Sequence, residues 1–135
     1  MSKRRIRFVL DASTLYPIAL NVNKYVNVLS ESVILDLTVY EVCNAGLVAW
    51  RRELLRNYME FLKALSELVS TLTLVKIAPE DIVNIGEIAE KTGLTFYDAA
   101  YIHIAKKLNL KLITEDRKIL EKAGNQATTL STIKP

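Results

Sequence analysis

The chain has a single cysteine, Cys43, among 135 residues. No disulfide can close within it and no thiolate zinc cluster can form. Nothing points to an oxidising compartment, so a reducing cytoplasm is the expected setting. Long hydrophobic runs are missing too: no stretch approaches the roughly 20 uninterrupted apolar residues that a membrane-spanning helix needs. The opening MSKRRIRFVLDASTLYPIAL imitates an export signal, because basic residues precede an apolar run. Asp11 interrupts that run and no small-residue cleavage site follows, so export is rejected and a soluble protein without a membrane partner is expected. There is no internal repeat, low-complexity tract or linker. With half its residues apolar, the chain is the size of one domain over residues 1–135, enough for a three-layer core but not for two cores. Charge of one sign is scarce: 18 Lys and Arg stand against 15 Asp and Glu, a net +3 that does not by itself indicate nucleic acid.

What is present is an alternation of short apolar runs and amphipathic stretches. Strands are predicted at residues 6–10, 32–37, 72–77, 111–114 and 127–132. Between them fall two short helical pieces over 16–29, broken near Asn21 to Asn23, and a helix over 39–55 capped by Thr38. Residues 58–69 continue as a second helix, forming an α-hairpin with the first. A further helix runs from Pro79 to Gly93, another is opened by Asp98 and reaches about Leu108, and a last one over 116–123 is closed by Gly124. Helices alternating with short buried strands predict an α/β three-layer sandwich, a doubly wound fold around a central parallel sheet of about five strands.

Four acids stand out by position. Asp11 ends the first apolar strand, where an unpaired carboxylate is costly unless a partner or cation is near. Glu41 lies three residues after Thr38 and Asp98 three after Thr95, both capping-box spacings, while Asp116 can cap the last helix, so each has an ordinary structural explanation alone. Together they agree: strand ends and helix starts both belong to the sheet's carboxyl edge, where ligands bind in such folds. Four carboxylates crowded there raise one another's pKa unless a cation offsets them. Oxygen donors without His or Cys select Mg²⁺ or Mn²⁺ over zinc, and such sites work on phosphate esters. With these four acids gathered round a cation, 18 basic side chains face 11 remaining acids, and an anionic partner becomes plausible.

The segments VLDAS, YEVCNAG, and LTFYDAAYIHIAKKL followed by LITEDRKIL together resemble the PIN domain, especially the VapC-type toxin ribonucleases, through nearly the whole chain. The resemblance implies a metal-dependent RNA endonuclease whose catalytic and metal-binding acids correspond to Asp11, Glu41, Asp98 and Asp116. It matches Thr114 to the hydroxyl residue two before the last acid, Ser13 to the small polar residue after the first, and Asn44 to the polar residue after the second. It also implies a small antitoxin partner and a homodimer. The alternatives are an RNA-processing PIN nuclease without an antitoxin, or a catalytically silent PIN-like module for RNA binding or assembly. A receiver or haloacid-type phosphatase also places Asp after its first strand, but Ser at position 13 and the missing partner residues leave those patterns incomplete.

Arg117 and Lys118 are candidate phosphate contacts, with Arg51, Arg52 and Arg56 a second patch. Strand alternation turns Glu115 away from the pocket. His103, five residues past Asp98, falls on another face about 7 Å along the helix and receives no catalytic role. Lys106 and Lys107 complement the helix dipole. Cys43 is read as buried filler, and Trp50 and the tyrosines as core or interface.

Overall fold

The computed structural model describes residues 5–133; Lys3 and Arg4, part of the signal-like lead-in, lie outside them. Five strands, β1 (Phe8–Leu10), β2 (Ser32–Leu35), β3 (Thr73–Val75), β4 (Lys111–Ile113) and β5 (Ala127–Thr128), form one sheet in the order β3-β2-β1-β4-β5. Every pairing is parallel. Seven α-helices connect them: α1 (Ala12–Ala19), α2 (Val26–Ser30), α3 (Asp36–Arg51), α4 (Tyr58–Thr71), α5 (Asp81–Thr92), α6 (Phe96–Leu108) and α7 (Arg117–Ala123).

Period-two alternation divides the strands between two cores. Phe8, Leu10, Ile34 and Ile113 pack with Leu15 and Ile18 of α1, Val42 of α3, and Phe61 and Leu65 of α4. Val9, Val33, Leu35 and Leu112 pack with Ile85 of α5, Ile102 of α6 and Ile119 of α7. The expected three-layer, doubly wound sandwich is therefore the observed fold. Its strands are so short that side-chain burial, about 1.5–3 kcal/mol for each large apolar residue, holds the layers together more than the ladders do.

Several boundaries move for identifiable reasons. Helix α1 starts at Ala12 rather than residue 16, because the Asp11 carboxylate accepts from the Thr14 N–H and caps it. Strand β2 ends at Leu35, and α3 begins at Asp36, three residues before the predicted start. Thr38 is thus inside the first turn, where its hydroxyl accepts from the Leu35 N–H at 3.1 Å. Helix α3 stops at Arg51 rather than residue 55, and Glu53 beyond it takes a left-handed φ of 61°. Helix α5 starts at Asp81, two residues after Pro79, and β5 stops at Thr128, with residues 130–132 forming a 3₁₀ turn. Gly93 ends α5 with φ 76°, a conformation that costs other residues a clash at Cβ. Among the described residues no helix is long and apolar enough to cross a membrane.

Strand β1 sits between β2 and β4: the chain winds outward from β1 through β2 to β3, crosses back to β4 on the other side of β1, and continues outward to β5. The crevice at the carboxyl ends of β1 and β4 is the topological switch point, the place where doubly wound folds hold ligands.

Candidate active site

Asp11 follows β1 directly and is buried, 4% exposed. Its Oδ1 accepts from the Ser13 hydroxyl at 2.6 Å and from the Thr14 N–H at 3.2 Å. The Thr114 hydroxyl, at the end of β4, donates to Oδ2. Each of those hydroxyls in turn accepts a main-chain N–H: Glu115 N–H to Ser13 at 2.9 Å and Asp116 N–H to Thr114 at 3.1 Å. Two hydroxyls thus pass the polarity of the β4–α7 junction onto the two oxygens of one carboxylate, stitching the carboxyl ends of β1 and β4 together. Burial pushes the Asp11 carboxyl up, while the bonds from Ser13, Thr114 and Thr14 pull the other way. Among the described residues Oδ2 accepts from Thr114 alone, so it is the oxygen with more capacity for a cation.

Glu41 lies in the second turn of α3, because that helix starts early. The capping-box explanation for it therefore lapses. Its Oε1 accepts from the Tyr101 hydroxyl at 2.7 Å, and the same hydroxyl lies 2.8 Å from the Thr38 hydroxyl. Burial raises the Glu41 carboxyl, Tyr101 opposes the rise, and the charges of Asp11 and Asp98 add to it. Burial pushes the Tyr101 hydroxyl far above its ordinary value, so it keeps its proton.

Asp98 is in the first turn of α6, where Thr95 is the N-cap and accepts from the Asp98 N–H at 3.1 Å. Its carboxyl is raised by burial and then by the Asp116 charge, with Thr95 and Lys118 opposing. Asp116 caps α7, accepting from the Ile119 N–H at 3.0 Å. For Asp116, as for Asp11, capping and membership of the group coexist, because the N-cap position is what delivers the carboxylate to the sheet edge. The charges of Asp11 and Asp98 both raise the Glu41 carboxyl, and that of Asp116 raises Asp98.

Of the supporting residues, Ser13 and Thr114 join the site through Asp11. Asn44 is exposed on α3, one turn beyond Glu41, and Arg117 is exposed at the start of α7. The cation that acts on the cluster is the neighbouring Lys118. Glu115 turns outward as expected, accepting from the Leu130 N–H at 3.1 Å.

Among the described residues, no three or more His, Cys, Asp or Glu side chains are grouped so that they could hold a metal ion. The donor set is nonetheless all oxygen and mutually repelling. It fits a hard cation that keeps much of its water and takes one or two carboxylates directly, the habit of Mg²⁺.

Sequence reasoning missed a buried acid remote from this cluster. Asp81, 2% exposed, accepts from His103 Nε2 at 2.9 Å, Lys107 Nζ at 2.9 Å and the Ala78 N–H at 2.7 Å. The Ala78 N–H, then His103 and Lys107, hold its carboxyl well below the usual range. His103 and Lys107 are thus a clamp between α6 and α5. Their i, i+4 spacing was a signal that both face one target. Two aromatics read as core or interface, Tyr40 and Tyr97, are exposed at 76% and 60%.

The sequence model of the PIN domain family matches residues 8–125, a span that contains all four acids and both hydroxyls. Among curated proteins, the chain is similar to "Exonuclease VapC9" of Pyrobaculum aerophilum, at 32% identity over 119 residues covering 87% of this chain and 86% of that one. It is also similar to "Ribonuclease VapC3" of the same organism, at 40% identity over 90 residues covering 65% and 68%. Among solved structures, the crystal structure of PAE2754 from Pyrobaculum aerophilum matches with a TM-score of 0.83 at 30% identity, covering 97% of this chain and 94% of that one.

Proposed function

The chain belongs to the PIN domain family, and on that premise we propose that it is a Mg²⁺- or Mn²⁺-dependent endoribonuclease acting through Asp11, Glu41, Asp98 and Asp116. The observation that carries this reading is the set of four acids at the switch point, anchored by the two hydroxyl relays onto Asp11. A relative named as a ribonuclease points the same way. A cation bound there would supply Lewis-acid polarisation of a phosphodiester and acidify water beside it.

The chain's own residues divide the remaining work. Asp11, Asp98 and Asp116 would hold the cation, directly or through water. Glu41, whose carboxyl is raised by burial and by its neighbours, would either join them or take the proton of attacking water, because a base works best with a pKa shifted toward the operating pH. Ser13 and Thr114 hold Asp11 in one orientation. Lys118, with Arg117 and Asn44 at the rim, is suited to phosphate oxygens.

We assign the toxin role, with a small antitoxin and a homodimer, on the resemblance to VapC-type toxins. Exposed apolar side chains support that reading: Val48, Trp50, Leu54 and Met59 around the α3–α4 turn, and Ile82 and Val83 on α5. The test of the activity is incubation with linear and with circular single-stranded RNA, with Mg²⁺ and with excess chelator. Cleavage of both forms only with Mg²⁺ is expected. Attack on linear RNA alone would assign exonuclease action, as in the name of one relative, and cleavage surviving the chelator would reject metal dependence.

A further inference from the structure

Tyr101 is 1% exposed and lies three positions after Asp98 on α6. Its hydroxyl crosses to α3, where it meets Glu41 Oε1 at 2.7 Å and Thr38 Oγ1 at 2.8 Å. Proton counting fixes the direction of these bonds. An ionised carboxylate only accepts, so Tyr101 gives its one proton to Glu41, and Thr38 must then give its own to the tyrosine oxygen. Thr38 Oγ1 itself accepts from the Leu35 N–H at 3.1 Å. The result is a one-way chain from the Leu35 N–H through Thr38 and Tyr101 to Glu41, beginning where β2 hands over to α3. It has the same form as the relays that reach Asp11, and bonds aligned in one direction polarise one another toward the anion at the end.

We infer that Tyr101 is a positioning residue for the carboxylate site, its hydroxyl fixing Glu41 of α3 in register with Asp98 of α6. The geometry gives the reason. Glu41 and Asp98 come from different helices on a site whose acids repel one another, and among the described residues Glu41 has no hydrogen-bond partner other than Tyr101. Without it the flexible glutamate swings toward solvent to escape Asp11 and Asp98. This inference rests on the proposed metal-dependent activity of the same site.

The test is calorimetric titration of Mn²⁺ into the full chain without RNA, alongside cleavage kinetics, for wild type, Tyr101→Phe, Glu41→Gln and the double variant. Tyr101→Phe keeps the ring and removes only the hydroxyl. Mn²⁺ affinity and kcat are expected to fall roughly 10–100-fold, the usual effect of removing a group that orients a metal ligand, with KM for RNA little changed. In the Glu41→Gln background the same change is expected to cost little more, because its target is already altered. An equal loss in both backgrounds, or Mn²⁺ affinity and kcat within twofold of wild type, overturns the role of Tyr101. If Tyr101→Phe does not fold, Thr38→Val, which leaves the tyrosine in place and removes the donor behind it, carries the same cycle. Wild-type protein that binds Mn²⁺ and cleaves RNA, with Glu41→Gln impaired and Tyr101→Phe unaffected, overturns Tyr101 alone; wild type that does neither overturns the metal-site reading as well.

Discussion

Hydroxyl groups that accept from the main chain and donate to a carboxylate give the site its orientation. Thr114 is the sharpest case, since it is fully buried and joins the Asp116 N–H to Asp11 Oδ2. Thr114→Val keeps the shape, leaves that N–H and Oδ2 unpaired, and is expected to cost about 1–3 kcal/mol of stability and roughly 10–100-fold in kcat. Thermal melts and single-turnover cleavage check the two figures, and Thr114→Ser is expected to restore both. The acids impose a second consequence. Asp11, Glu41 and Asp98 all have carboxyls raised in the folded protein, so each binds its proton more tightly folded than unfolded. Their contribution to stability is complete below the ordinary carboxylate range, near pH 4, and is lost as pH rises through the raised values. Metal-free protein is expected to melt at progressively lower temperature across that interval, and Mg²⁺ to restore it. A metal-free melting temperature that rises with pH there would contradict the crowding of these groups.

At the scale of elements, close approach and pairing between helices do what the strands are too short to do. Gly46 lies on α3 where an added Cβ would come within 2.6 Å of the buried Phe61 ring of α4. Gly46→Val is expected to cost about 1–3 kcal/mol by overpacking that crossing, read as a lower melting temperature. Asp81 ties α5 to α6 through His103 and Lys107. Its carboxyl is depressed, so the sign is opposite to that of the cluster: the clamp stabilises above the ordinary aspartate range and is lost as pH falls through and below it. Asp81→Asn is expected to lower the melting temperature at pH 7 and to flatten its fall in acid. The existence and type of these elements were legible from periodicity, down to the Thr95 and Asp116 caps. Helix starts were not always so. Asp11 and Leu35 begin α1 and α3 earlier than the apolar pattern suggests, one through a side-chain cap and the other through an extended residue with no capping side chain. That shift is what removed the ordinary explanation of Glu41 and gave Thr38 its place behind Tyr101.

For the whole molecule, the sheet order β3-β2-β1-β4-β5 puts β1 and β4 side by side although about a hundred residues separate them. The four acids come from four segments and meet only through that order. Sequence spacing could assign each to a strand end or a helix start; the links among them, and the buried hydroxyls behind them, depend on pairings between remote segments. Asp81 escaped notice for the same reason, since its partners sit 22 and 26 residues away. The most direct measurement of the central claim is Mg²⁺-dependent cleavage of RNA by Asp98→Asn against wild type, with circular dichroism confirming that both are folded. A folded variant is expected that melts no lower than wild type without metal and has no detectable Mg²⁺-dependent cleavage. Undiminished cleavage by the folded variant would contradict that claim.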